Sequence, residues 1–191
     1  MSFNEKELVF KDDRIIVNEG EQEPELQLEV MMSWEDSLMK RHAEVVCENG
    51  GDVLEIGFGM GIAANYIQEL NPSSHTIVES HPQILEKLRE WAADKPNVNI
   101  VEGEWYKIKD QLNKYDGVFY DAFGDTDFEL IVDVIPDITK EGSIFTFWNN
   151  RGDQSNNLGI EENIVYEQIE VDPPQNNYFN YSTYYLPKVI V

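Results

Sequence analysis

Val53-Leu54-Glu55-Ile56-Gly57-Phe58-Gly59-Met60-Gly61-Ile62-Ala63-Ala64 is the stretch that decides the fold of this chain. Residues 52–56 read as a buried strand, three glycines follow at alternate positions, and an apolar run then opens a helix. Glycine suits such a turn because the backbone must bend tightly and approach a ligand closely. The helix behind the turn aims its first, unpartnered amides at that ligand.

Outward from this stretch, strand and helix signals alternate. Residues 62–70 read as a helix closed by Asn71-Pro72, residues 75–79 as a second strand, and residues 82–93 as a helix with Pro82 in its first turn. Strands are expected at 98–101, at 118–120 and at 144–148 after Gly142, with a helix from Leu130 interrupted or ended near Pro136. Residues 163–171 and 184–191 read as strands with no helix between them, which predicts an antiparallel hairpin at the sheet edge. The alternation predicts an α/β fold, a mostly parallel seven-stranded sheet with helices on both faces.

Upstream, Leu8-Val9-Phe10 and Ile15-Ile16-Val17 flank Asp12-Asp13 as a small hairpin. Residues 19–29 form an acidic linker containing Pro24. A helix is expected from Ser33, capped by Ser33 with Asp36 three residues on, carrying Leu38, Met39, His42, Val45 and Val46 as one apolar stripe. The organisation is therefore an N-terminal arm or lid, 1–29, and a single domain, 30–191.

The chain has 191 residues and a formal net charge of -23. So acidic a surface repels phosphate backbones, which argues against nucleic acid and for a cationic small molecule as substrate. No apolar stretch is long enough to cross a bilayer and no signal-peptide core is present, so no membrane partner and a cytoplasmic location are expected. Cys47 is the single cysteine, which excludes an internal disulfide and a cysteine metal cluster; no metal site is expected. Cys47 reads as a buried small hydrophobe, His42 as a helix-face residue and His75 as a surface residue.

A dinucleotide fingerprint would place its third glycine one residue later, and a Walker loop would need Gly-Lys-Ser/Thr. Glu55-x-Gly57-x-Gly59-x-Gly61 instead resembles motif I of the class I, Rossmann-like, S-adenosyl-L-methionine-dependent methyltransferases. The Phe and Met between the glycines and the trailing Ile-Ala-Ala resemble more closely the guanidinoacetate N-methyltransferase family and its arginine N-methyltransferase relatives. Val30-Met31-Met32-Ser33-Trp34-Glu35, Thr76-Ile77-Val78-Glu79, Gly103-Glu104-Trp105 and Tyr120-Asp121-Ala122-Phe123 are similar to further segments of that family, in order. Tyr184-Tyr185-Leu186-Pro187 is a weaker match, and the resemblance thins after Asn149.

The resemblance implies S-adenosyl-L-methionine as cofactor, held by Met31, Met39, Glu55, Gly57, Phe58, Gly59, Met60, Gly61, Ile62, Glu79, Ser80, His81, Gly103, Glu104 and Asp121. It also implies an N-methyltransferase acting on a guanidino compound such as guanidinoacetate or arginine, with Glu35 and Asp121 holding the guanidino group and Asp121 beside the transferred methyl. Two carboxylates can grip a planar guanidinium through paired hydrogen bonds, and one can take a proton as the nitrogen attacks. Without the resemblance, Trp34, Trp105 and the methionines read as core, and Glu35 as an acid that suits a helix's first turn.

The family has a Thr-Ser pair after the fifth strand that holds the substrate carboxylate; here that stretch is Trp148-Asn149-Asn150-Arg151-Gly152. Arg151 is the candidate carboxylate ligand in its place. The segment 153–162 is short and polar, so the helix expected there is reduced or missing, and Asp125 and Asp127 add acids after Asp121. These departures leave a more cationic acceptor, or a cofactor-binding protein without the original activity, as alternative readings.

Overall fold

The computed structural model describes residues 2–17, 28–124 and 130–191. Three short strands come first: β1, Leu8–Phe10, β2, Arg14–Val17, and β3, Glu29–Met32, form an antiparallel sheet in that order. The β1–β2 hairpin is the one expected around Asp12-Asp13. The acidic linker lies outside the described residues except at its last two, and Glu29 belongs to β3.

Val30-Met31-Met32 is strand. The Glu35 carboxylate accepts the Met32 amide at 2.8 Å and so closes a single 3-10 turn, Ser33–Glu35. The first helix, α1, Asp36–Val46, starts only after that turn, and Ser33 does not cap it. Leu38, Met39, His42, Val45 and Val46 are all buried on its inner face.

The main sheet contains β4 (Asp52–Ile56), β5 (Ser74–Glu79), β6 (Val98–Glu102), β7 (Tyr115–Tyr120), β8 (Thr139–Phe147), β9 (Ile164–Glu170) and β10 (Thr183–Ile190). Its order is β6-β5-β4-β7-β8-β10-β9, parallel through β8, with β10 antiparallel to both β8 and β9. The connecting helices are α2 (Ile62–Glu69), α3 (Pro82–Ala92), α4 (Trp105–Ile108) and α5 (Ile131–Ile138). Pro136 does not end α5; it sits in the last turn, and the chain passes straight into β8.

Alternate residues of each central strand face opposite layers. Val53 and Phe119 pack under α1 and α2, and Ile77 under α3. Leu54, Ile56, Val118 and Tyr120 face α4 and α5 on the other side. Gly117 shows how close these layers come: a Cβ there would lie 2.0 Å from the Val46 carbonyl at the end of α1.

All three histidines are buried, contrary to the surface assignment of His75. His75 is fully buried and donates from Nε2 to Glu55 Oε2 at 2.9 Å, the two side chains meeting diagonally across β4 and β5. His42 bridges Thr146 Oγ1 and the Tyr184 hydroxyl, both at 2.8 Å, and burial pushes its pKa down to about 3. That neutral ring ties α1 to β8 and β10. Cys47 is only half-buried; burial pushes its thiol up to about 12. Among the described residues no helix is long and apolar enough to cross a membrane.

Candidate active site

The carboxyl ends of β4, β5, β6 and β7 meet at one crevice, where ligands bind in sheets of this kind. Single backbone hydrogen bonds carry the parallel pairing past the strand ends. Gly57 donates to Val78, Gly103 to Glu79 and Asp121 to Ile56, each at 2.9 Å. This extension fixes the glycine loop against the residue following β7. Gly57 has φ +96°, and a Cβ on it would stand 2.0 Å from the Asp121 carbonyl oxygen. Only glycine meets both conditions. Met31 Sδ lies under the far side of the loop and accepts the Met60 amide at 3.3 Å.

Glu79, at the end of β5, holds the loop through its carboxylate. Oε1 accepts the Ser80 and His81 amides at 2.7 and 2.8 Å, and Oε2 accepts the Phe58 amide at 3.1 Å. A carboxylate has roughly four acceptor sites, so one remains, on Oε2, for a ligand hydroxyl.

A cavity of about 590 Å³ opens between these elements, a size suited to a cofactor-sized ligand. Of the residues expected to bind cofactor, Met31, Met39, Glu55, Gly57, Phe58, Gly59, Glu79, Ser80, Gly103, Glu104 and Asp121 line it. Met60, Gly61, Ile62 and His81 stand behind that lining rather than in it. Close glycine backbone, an acid at the end of the second parallel strand and the flat rings of Phe58 and Trp105 together fit an adenosyl ligand.

Sequence reasoning missed one wall. Phe3, Asn4 and Lys6 of the N-terminal arm line the cavity. Phe3 packs between His81 and Phe123, each 4.9 Å away by ring centroid, while Ser80 Oγ donates to Asn4 Oδ1 at 3.0 Å. An aromatic two residues into a polar terminus was the available signal.

The two candidate substrate acids come from opposite parts of the chain. Glu35 is buried at 3% exposure in the turn before α1; Asp121 lines the cavity directly after β7. The charge of Asp121 bears on Glu35. Burial, reinforced by Asp121, pushes Glu35 up to about 8. Burial, reinforced by Glu55, pushes Asp121 up to about 7. Glu35 itself is not in the cavity lining, and the Tyr178 hydroxyl donates to its Oε1 at 2.5 Å.

The altered segment after β8 is used internally. Asn149 is fully buried, its amide donating to the carbonyls of Asp153 at 3.0 Å and Tyr185 at 2.9 Å. Arg151 is exposed and does not line the cavity. Asx-type bonds from Ser155 to Asp153 and from Gly159 to Asn157 shape 153–162 as turns without a helix. Asp125 and Asp127 lie outside the described residues.

The model of one protein family, guanidinoacetate N-methyltransferase, matches residues 9–154. Protein arginine N-methyltransferase 2 of Saccharomyces cerevisiae is 32% identical over 216 residues, covering 96% of this chain and 51% of that protein. The Candida glabrata protein of the same name is 36% identical over 163 residues, covering 75% and 37%. The chain thus spans about half, or less, of these relatives' length. Among solved structures, spermidine synthase from Thermotoga maritima superposes with TM-score 0.63 at 13% identity, covering 96% of this chain and 72% of that one. A caffeoyl-CoA O-methyltransferase assignment from Staphylococcus aureus gives TM-score 0.59 at 16% identity, covering 82% of each. At such identities these two show the fold alone: a Rossmann-like methyltransferase sheet.

Proposed function

Because the chain belongs to the guanidinoacetate N-methyltransferase family, we propose that it transfers a methyl group from S-adenosyl-L-methionine to a nitrogen of a guanidino compound. One observation carries the reading: the end of β7 packs against the glycine loop and so sets Asp121 in the cavity wall, where its charge raises the pKa of the buried Glu35. When bound, the cofactor supplies an electrophilic methyl group on a positively charged sulfur.

The chain's own residues do the rest. Gly57, Gly59 and Glu79 hold the adenosyl end, and Trp105 walls it. The arm, as a lid, covers it through Phe3. Both carboxyl groups are raised toward neutral pH, so a bound guanidinium, by favouring their ionised forms, displaces protons from them. Asp121, with its basicity raised by burial, accepts a proton from the attacking nitrogen, whose guanidinium form has no lone pair to offer. The negative charge of both acids offsets the repulsion between guanidinium and sulfonium.

The relatives bear the name of protein arginine methyltransferases, so the acceptor is either a free guanidino compound or an arginine side chain in a protein. Asn149 is committed to the backbone, which removes one means of holding a free acceptor's carboxylate and favours no ordinary guanidinoacetate clamp here. Incubation with methyl-labelled cofactor and guanidinoacetate, arginine and an arginine-containing peptide tests the reading. Label should reach one of them and Asp121→Asn should abolish it. Absence of transfer to all three, or transfer indifferent to that substitution, refutes it.

A further inference from the structure

We propose that Tyr178 is a positioning residue for the acceptor site: its hydroxyl, held by Trp34, pins one oxygen of the Glu35 carboxylate and leaves only the other to a guanidino group. This rests on the reading of Glu35 as a substrate acid.

Tyr178 belongs to the segment between β9 and β10, and that segment is built to present it. Asn176 Oδ1 accepts the amides of Tyr178 and Phe179 at 3.0 and 2.7 Å, and its Nδ2 donates to the carbonyls of Pro174 and Phe179, both at 2.8 Å. Phe179 is fully buried, 5.8 Å from the Trp34 ring and 5.9 Å from Trp148. The Asn177 amide donates to Glu29 Oε2 at 3.0 Å, which fastens the segment to β3. Tyr178 is thus fixed from both neighbours.

The direction of its hydrogen bonds follows from chemistry. An indole N–H can only donate. Trp34 Nε1 therefore donates to the Tyr178 oxygen, at 3.0 Å, and the Tyr178 proton is turned to Glu35 Oε1 at 2.5 Å. Oε1 also accepts the Met32 amide. Both in-plane acceptor sites of Oε1 are then filled, whereas a two-pronged guanidinium pair needs one site on each oxygen. With Tyr178 in place, Oε2 is the one Glu35 oxygen left for an acceptor.

The groups facing Glu35 are Asp121 after β7, Tyr178 itself, Tyr184 on β10 and, through Tyr178, Glu29 on β3. Of these, Tyr178 stabilises the ionised carboxylate and Asp121 opposes it. Removing the hydroxyl therefore makes Glu35 more basic.

The test uses the full chain with Tyr178→Phe. Carbon-13 NMR of glutamate labelled at Cδ follows Glu35 directly, and its midpoint, about 8 in the unaltered protein, should rise by about one pH unit. The acid limb of kcat/KM, which reports the free enzyme, should move up by the same amount. Affinity for S-adenosylhomocysteine serves as the folding control. Trp34→Phe removes the donor to Tyr178 but keeps the ring, and a smaller rise is expected; it decides the matter if Tyr178→Phe does not fold. An unmoved Glu35 midpoint in a folded variant overturns the proposal and makes Tyr178 a packing residue. If the midpoint moves but the unaltered chain methylates no guanidino compound, the Tyr178–Glu35 coupling stands and the acceptor class is what fails.

Discussion

Replacing Gly57 by alanine combines two penalties that this chain allows to be measured apart. The first is conformational: φ +96° is a left-handed setting that costs an L-residue roughly 1–3 kcal/mol. The second is a clash, because the new Cβ would stand 2.0 Å from the Asp121 carbonyl oxygen, against 3.4 Å or more for ordinary contact. Both atoms are fixed to backbone, so no side chain can turn away, and the loop and the β7 end must part by more than 1 Å. Gly142 has φ +77° with open space around it, so Gly142→Ala carries the first penalty alone. Gly117→Ala carries the second alone, since its φ is ordinary and its Cβ would stand 2.0 Å from the Val46 carbonyl. In thermal melts Gly142→Ala should lower Tm by about 2–12 °C, and Gly117→Ala and Gly57→Ala by more, at roughly 2–4 °C per kcal/mol for a chain of this size. Calorimetry with S-adenosylhomocysteine separates the last two: Gly57→Ala should lose at least about tenfold in affinity, as the loop is displaced, and Gly117→Ala should not. A Gly57→Ala protein that melts and binds like the unaltered chain would refute the account of the loop.

Asp121→Asn should abolish methyl transfer yet raise Tm, by about 5–10 °C more at pH 8.5 than at pH 5. The sign follows from its raised pKa: stability from this group is complete below the unfolded value, about 3.8, and is lost progressively until pH passes about 7, so neutralising it helps most above pH 7. Glu79→Gln should weaken S-adenosylhomocysteine binding by about 10- to 100-fold in calorimetry. An amide offers one acceptor oxygen where three backbone amides and a ligand hydroxyl now share two.

The parallel half of the sheet was legible because its strands and helices have distinct periods and are punctuated by Gly57, Asn71-Pro72 and Pro82. The glycine loop and Glu79 were legible for the same reason: local geometry requires those residue types there. What escaped was long-range. Glu29 reads as the end of the acidic linker, and only pairing with β2 makes Glu29–Met32 a strand. His75, the first residue of the expected second strand, reads as exposed; only the neighbouring strand shows that it is buried against Glu55. Tyr178 lies in a Pro- and Asn-rich stretch past the end of the family resemblance, and its bond to Glu35 spans 143 residues. No periodicity could report that contact. Arg151 was attractive as a lone cation near the site, but its exposure places it elsewhere.

The four tryptophans are distributed in a way that makes this protein its own reporter. Trp34 and Trp148, with ring centroids 6.4 Å apart, stand beside Glu35 and Tyr178; Trp91 packs on Phe58 of the loop; Trp105 walls the cavity. Emission from the first two senses events at the acceptor acid, and emission from the other two senses the adenosyl end. With single Trp→Phe variants, stopped-flow fluorescence could time each half of the site separately, with no label attached, and so give the order in which the two ligands arrive.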